Sequence, residues 1–168
     1  MSTSDVIVVM GVSGSGKTAL GRSLAAETGW DFIEGEQFLD KASREALRAG
    51  GLSEDAHDRW LKKLGDWIDG YEGTGRCAVV ACSVLTRHRR AVLREGRPHL
   101  RFCHVSAHQG VLLDRVGAEG AKRLSDDFAR LEPLGPDEPG VTVSTEDSGT
   151  EELVHRALAA LGLDPGHS

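Results

Sequence analysis

The stretch "VIVVMGVSGSGKTALGRSLAAET", Val6 to Thr28, decides the fold. "DVIVVM", Asp5 to Met10, is a near-continuous apolar run that reads as the first strand, the kind a parallel sheet buries on both faces. Gly11 to Thr18 fits G-x-x-x-x-G-K-[ST], and from Lys17 to about Thr28 the apolar Leu20 and Leu24 recur at helical spacing until Gly29 ends the run. Strand, glycine-rich turn and helix in that order are the context in which this pattern is a phosphate-binding loop. The glycines let backbone N–H groups turn inward around phosphate oxygens, and the helix adds its positive N-terminal end. Gly11, Ser13, Gly14, Ser15, Gly16, Lys17 and Thr18 are therefore the candidate ATP-binding residues. Lys17 reaches the β- and γ-phosphates and is a candidate catalytic residue, while the Thr18 hydroxyl is the candidate Mg²⁺ ligand.

Working outward, strand and helix patterns alternate. "WDFIEG" reads as a second strand, "CAVVACS" as a third, "LRFCHVS" as a fourth and "GVTVST" as a fifth. An irregular helical segment runs from Glu36 to Gly51. Ser53 then caps a helix whose Trp60, Leu64, Trp67, Ile68 and Tyr71 form an apolar stripe. "RHRRAVLREG", "HQGVLLDRV" and "TEELVHRALAAL" complete the helical set. This alternation predicts an α/β fold, a parallel sheet with right-handed crossovers and helices on both faces. The span from Gly117 to Gly140, with its Gly, Pro and charged residues, reads as a mobile segment or lid.

Length and charge bound the function. At 168 residues the chain reads as a single domain, 1–168, large enough to bury a core. A net charge of −6 argues against a general affinity for nucleic acid, which needs surplus Lys and Arg. The longest N-terminal apolar run is too short for a membrane span and lacks the basic flank of a signal peptide. Cys77, Cys82 and Cys103 lack metal-type spacing and read as reduced thiols of a cytoplasmic protein. His104 and His108 straddle a strand end and make a poor zinc pair. The chain has no guanine-reading N-K-x-D segment, so the nucleotide reads as ATP and the class as a small-molecule kinase.

Ligands of open α/β sheets gather beyond the carboxyl ends of the strands, which places Glu34 and Glu36 of "EGE" beside the phosphate loop. Glu36 is the candidate that accepts the proton of an attacking hydroxyl, or helps hold Mg²⁺ through water. Ser83 follows the third strand and should line the acceptor pocket. Arg87 and Arg90 are candidates for a substrate carboxylate, because a guanidinium matches it bidentately. Arg94, Arg97 and Arg101 continue the basic series and read as solvated charges. Trp60 is kept as a candidate acceptor-wall residue beside its core role.

"MGVSGSGKT", the acidic-Gly-acidic triplet, "ACSVL" and "LEP" together resemble the gluconokinase family, small P-loop kinases that phosphorylate the 6-hydroxyl of D-gluconate. "ACSVLTRHRRAVLREGRPHLRF" is the best-matched block, close to A-C-S-A-L-K-x-x-Y-R-D-x-L-R, with Ala81, Cys82, Ser83, Leu85, Arg90, Leu93 and Arg94 on matching positions. The resemblance runs along most of the chain. It implies a P-loop kinase sandwich with a five-stranded parallel sheet, ATP with Mg²⁺, a sugar-acid substrate, a lid over about residues 117–135 and a homodimer.

Three departures stand out. The triplet is "EGE" where D-G-D is usual, which moves a carboxylate oxygen by roughly 1 Å. After it the family's His-Pro pair falls on Leu39-Asp40, its Asn on Ser43, its Lys-Met on Ala46-Leu47 and an Arg on His57, while Gly50, Leu52, Trp60 and Leu61 match. The lid pattern R-x-x-x-R-x-G-H-F keeps Arg115, an expected ATP ligand, and loses its second Arg. Arg123 is the candidate replacement, a catalytic cation supplied in cis, with Arg115, Lys122 and Arg130 as competitors. The expected reaction is ATP-dependent phosphorylation of a small sugar acid, D-gluconate by default. The alternatives are a kinase of another polyol or hydroxy acid, and a nucleotide-binding regulatory protein with a decayed acceptor site.

Overall fold

Five apolar segments become strands: β1 (Val6–Met10), β2 (Asp31–Glu34), β3 (Ala78–Ala81), β4 (Leu100–Ser106) and β5 (Gly140–Ser144). All pair in parallel, in the order β2-β3-β1-β4-β5, so the most apolar strand is central. The computed structural model describes residues 4–49, 51–145 and 149–163. Gly50, expected to help end a helix, lies outside them.

The helices are α1 (Lys17–Thr28), α2 (Lys41–Arg48), α3 (Glu54–Asp69), α4 (Arg87–Arg94), α5 (Gln109–Arg130) and α6 (Thr150–Leu161). Side chains of β1 alternate between two cores. Val6, Val8 and Met10 pack with Leu61, Leu64 and Leu93 beneath α3 and α4, while Ile7 and Val9 pack with Leu20, Leu24 and Leu158 beneath α1 and α6. Each fully buried valine or leucine contributes about 1.5–3 kcal/mol relative to exposure, so a one-residue slip of β1 would exchange both cores at once. A third, smaller cluster joins Val12 of the phosphate loop to Leu85, Leu112 and Leu124.

Ser53 caps α3 as expected, its hydroxyl accepting the Ala56 N–H at 3.2 Å. The segment after Glu36 divides into two pieces. A short 3₁₀ turn, Gly35–Phe38, is followed by α2, which starts where Asp40 accepts the Ser43 N–H at 2.7 Å.

The region read as a mobile lid is mostly helix. α5 continues to Arg130 with one interruption, Gly117 at φ 68° and ψ −172°, a backbone conformation that favours glycine. Gly117 and Gly120 hide the helix in the sequence. The residues after them, "AKRLSDDFAR", bury Leu124 and Asp127. Only 131–139, with its three prolines, is irregular.

Candidate active site

The phosphate loop takes its shape from three glycines. Gly14 (φ 76°) and Gly16 (φ 94°) are left-handed, and a Cβ on Gly11 would stand 2.6 Å from Ser15 Oγ and 2.9 Å from the Val105 carbonyl. Gly16 leads into α1 with no side-chain cap. The first amides of this helix are thus left for an anion. Ser15 is fully buried in the turn, and its N–H donates to the Val12 carbonyl at 3.2 Å.

Four charged side chains converge at the mouth of the loop. Arg123 Nη2 pairs with Glu36 Oε1 at 2.8 Å. The Ser13 N–H donates to Asp127 Oδ2 at 2.8 Å. Lys17 lies among these groups: burial pushes its pKa down, as does the Arg123 cation, while Glu36 and Asp127 hold it up. Arg123 and Asp127 are four residues apart on α5, so one helical face brings a cation and an anion to the loop. Arg115, on the other side of the Gly117 kink, donates from Nη1 to the Gly14 carbonyl at 3.0 Å. Lys122 is exposed and paired with Asp126 at 2.9 Å, away from this cluster. Thr18 follows Lys17 in the first turn of α1. One hydroxyl with a carboxylate close by suits Mg²⁺, which is held mostly by phosphate oxygens and water and takes few protein ligands.

Trp60 is 2% exposed. Its indole N–H donates to the Gly35 carbonyl at 2.7 Å. It fastens α3 to the acidic turn and thereby positions Glu36, so its polar atom is committed to the protein rather than to an acceptor.

The arginines correct the expectation placed on Arg90. That side chain is wholly buried. Nε and Nη2 grip Glu138 at 2.6 and 3.0 Å, Nη1 donates to the Val84 carbonyl at 3.1 Å, and Nη2 also meets the Pro133 carbonyl at 3.4 Å. A guanidinium so fully engaged has no edge to offer a substrate carboxylate. Arg87 is exposed and pairs with Asp137 at 2.6 Å. Together Arg87 and Arg90 line a depression of about 760 Å³ with Arg94, Phe102 and Pro139, and its walls include no phosphate-loop residue. Arg94 and Arg101 tie down backbone carbonyls, and Arg97 grips Asp69 at 2.8 and 2.9 Å.

Three buried residues to which the sequence reading gave no role stand out. Asp127 was signalled only by its four-residue offset from Arg123, a signal that needs the helix to be recognised first. Arg89 lies on the buried side of α4, four residues before Leu93, and is 3% exposed. His57 is 2% exposed, and neither ring nitrogen has a partner. Burial and the Arg89 cation push its pKa down to about 4, so it is neutral at physiological pH. Ser83, expected on the acceptor side, is buried with its hydroxyl unpaired. Cys82 and Cys103 are buried thiols, both pushed up to about 12 by burial, and none of Cys77, Cys82 and Cys103 is in a disulfide.

A phosphate loop at the carboxyl edge of a five-stranded parallel sheet, facing a carboxylate and an arginine of α5, defines a P-loop kinase of small molecules. A gluconokinase from Gluconobacter oxydans is 39% identical over 163 residues, covering 91% of each chain. The solved structure of a sugar kinase from Janibacter superposes with a TM-score of 0.87 at 35% identity, covering 95% of both chains. A gluconokinase from Sinorhizobium meliloti superposes at 0.82 with 30% identity, covering 96% of this chain and 94% of its own. No family model matches the chain. At this identity and coverage the chain belongs to the gluconokinase family. Among the described residues no helix is long and apolar enough to cross a membrane.

Proposed function

We propose that the protein transfers the γ-phosphoryl group of ATP to the 6-hydroxyl of D-gluconate. The observation that carries this reading is the meeting of Lys17, Glu36 and Arg123 at the mouth of the phosphate loop, in a chain whose relatives of similar length are gluconokinases. Phosphoryl transfer asks the protein mainly for positioning and charge neutralisation.

Gly11 to Thr18 hold the phosphates through backbone amides. Lys17 follows the charge that develops on the transferring group. Glu36, aimed by the Trp60–Gly35 bond, orients the acceptor hydroxyl and takes its proton. Arg123 leaves Glu36 for the phosphoryl oxygens once nucleotide and acceptor are both bound, serving as a cation in cis. Arg115 closes on the nucleotide from the near side of the Gly117 hinge. Mg²⁺, held by Thr18 and the nucleotide, would neutralise phosphate charge.

The test is ADP release, coupled to an optical signal, from the full chain with Mg-ATP and D-gluconate, beside other sugar acids and an acceptor-free control. Gluconate-dependent turnover well above the control is expected. ATP binding without turnover on any sugar acid would sink the reading and favour a nucleotide-binding regulator.

A further inference from the structure

Adjacent buried arginines on α4 have opposite fates. Arg90 spends both edges of its guanidinium on Glu138 and backbone carbonyls. Arg89 is almost as buried, yet its Nε has no partner. Its one strong bond, Nη2 to Glu54 Oε1 at 2.5 Å, goes to a carboxylate whose side chain is 66% exposed. The helix start holds Arg89 in place, since its N–H donates to the Thr86 hydroxyl at 3.1 Å.

The neighbours of Arg89 are also unpaired. His57 is one turn beyond Glu54 on α3, its ring tilted against Trp60 at 5.7 Å, with neither ring nitrogen paired. Ser83 opens the segment between β3 and α4 with a free hydroxyl. Each buried, unsatisfied polar group costs about 1–3 kcal/mol, so three of them call for a ligand that satisfies them. His57 feels the Arg89 cation, and Cys82, next to Ser83, feels the charges of Arg89, Lys17 and Glu36, which ties the three to the reaction centre.

We infer that Arg89, His57 and Ser83 form the far end of the acceptor site, with Arg89 taking the carboxylate of the sugar acid and His57 and Ser83 taking its hydroxyls. The inference rests on the proposed function and deepens it. A guanidinium edge matches a carboxylate in shape and charge. Neutral imidazole offers one donor and one acceptor, the complement of a hydroxyl that also does both. Glu54 occupies Arg89 in the free enzyme and, being exposed, gives way to the substrate at little cost.

The test is steady-state kinetics on D-gluconate with the full chain. Arg89→Gln should raise the gluconate KM by about tenfold or more while the ATP KM stays within about twofold, with partial rescue in Arg89→Lys. Glu54→Gln should lower the gluconate KM, because it frees the same guanidinium. If Arg89 and Glu54 only tie α4 to α3, both variants will shift the gluconate KM in the same direction, and the inference falls. It also falls if Arg89→Gln leaves that KM unchanged. A wild-type protein that turns over gluconate in either case keeps the proposed function. A wild type inactive on every sugar acid overturns both.

Discussion

The phosphate loop is built mainly from backbone and the proposed acceptor wall from side chains. At the loop, Gly14 and Gly16 aim amides and α1 leaves its N-terminus uncapped. At the proposed wall, Arg89, His57 and Ser83 hold buried polar atoms without partners. Backbone amides are the same whatever residue carries them, so the loop tolerates little beyond its glycines and recognises only phosphate. The side-chain wall can change its ligand by single substitutions. A kinase assembled this way keeps its donor chemistry fixed while its acceptor drifts, because the two recognitions share few atoms.

That contrast can be broken at several points. The largest effect is expected at the donor end. Lys17→Ala should lower kcat by about a thousandfold, measured by coupled ADP release, because nothing else in the loop supplies a mobile cation. Next comes Arg90→Met, which leaves Glu138, at 12% side-chain exposure, with only the longer 3.6 Å ion pair to Arg87. A loss of about 3–5 kcal/mol is expected, seen as a melting temperature lower by about 10 °C, with the gluconate KM unchanged. A raised KM would return Arg90 to the acceptor wall. Glu36→Gln should cut kcat by about a hundredfold and leave ATP affinity, measured by calorimetry, nearly intact. Unchanged turnover would remove Glu36 from proton transfer.

The smallest effect concerns His57 and pH. Its pKa falls from 6.5 to about 4 on folding, so the unfolded chain binds the proton more readily. Stability is then full above pH 6.5 and is lost as pH falls toward 4. Between pH 7 and pH 5 this one group should cost about 2 kcal/mol. Denaturant titrations at the two pH values should show the loss shrinking by that amount in His57→Asn. An equal loss in both proteins would mean that His57 is not held neutral.

How much of this could be seen in the sequence follows the same division. The stretch up to Thr28 declares strand, loop and helix, and the structure places them within a residue of the expected bounds. The Trp60 stripe and the Ser53 cap are likewise local patterns. The helix across the expected lid segment stayed hidden because Gly117 and Gly120 look like breaks, although only Gly117 departs from helix. Arg90 failed for a different reason. Its partner Glu138 is 48 residues away, and no local pattern can tell a substrate-facing arginine from its buried neighbour. Arg89 and His57 stayed hidden because an unpaired buried atom is a property of packing, and spacing carries no trace of it.

The Arg123–Glu36 pair joins the lid helix to the acidic turn in the free enzyme. A carboxylate gripped by a guanidinium is a poor acceptor for a proton from water. On the proposed roles, an enzyme waiting with ATP but without sugar acid has its base occupied, and the nucleotide is spared wasteful hydrolysis. Economy between turnovers is thus written into the same two side chains that, once parted, carry the turnover itself.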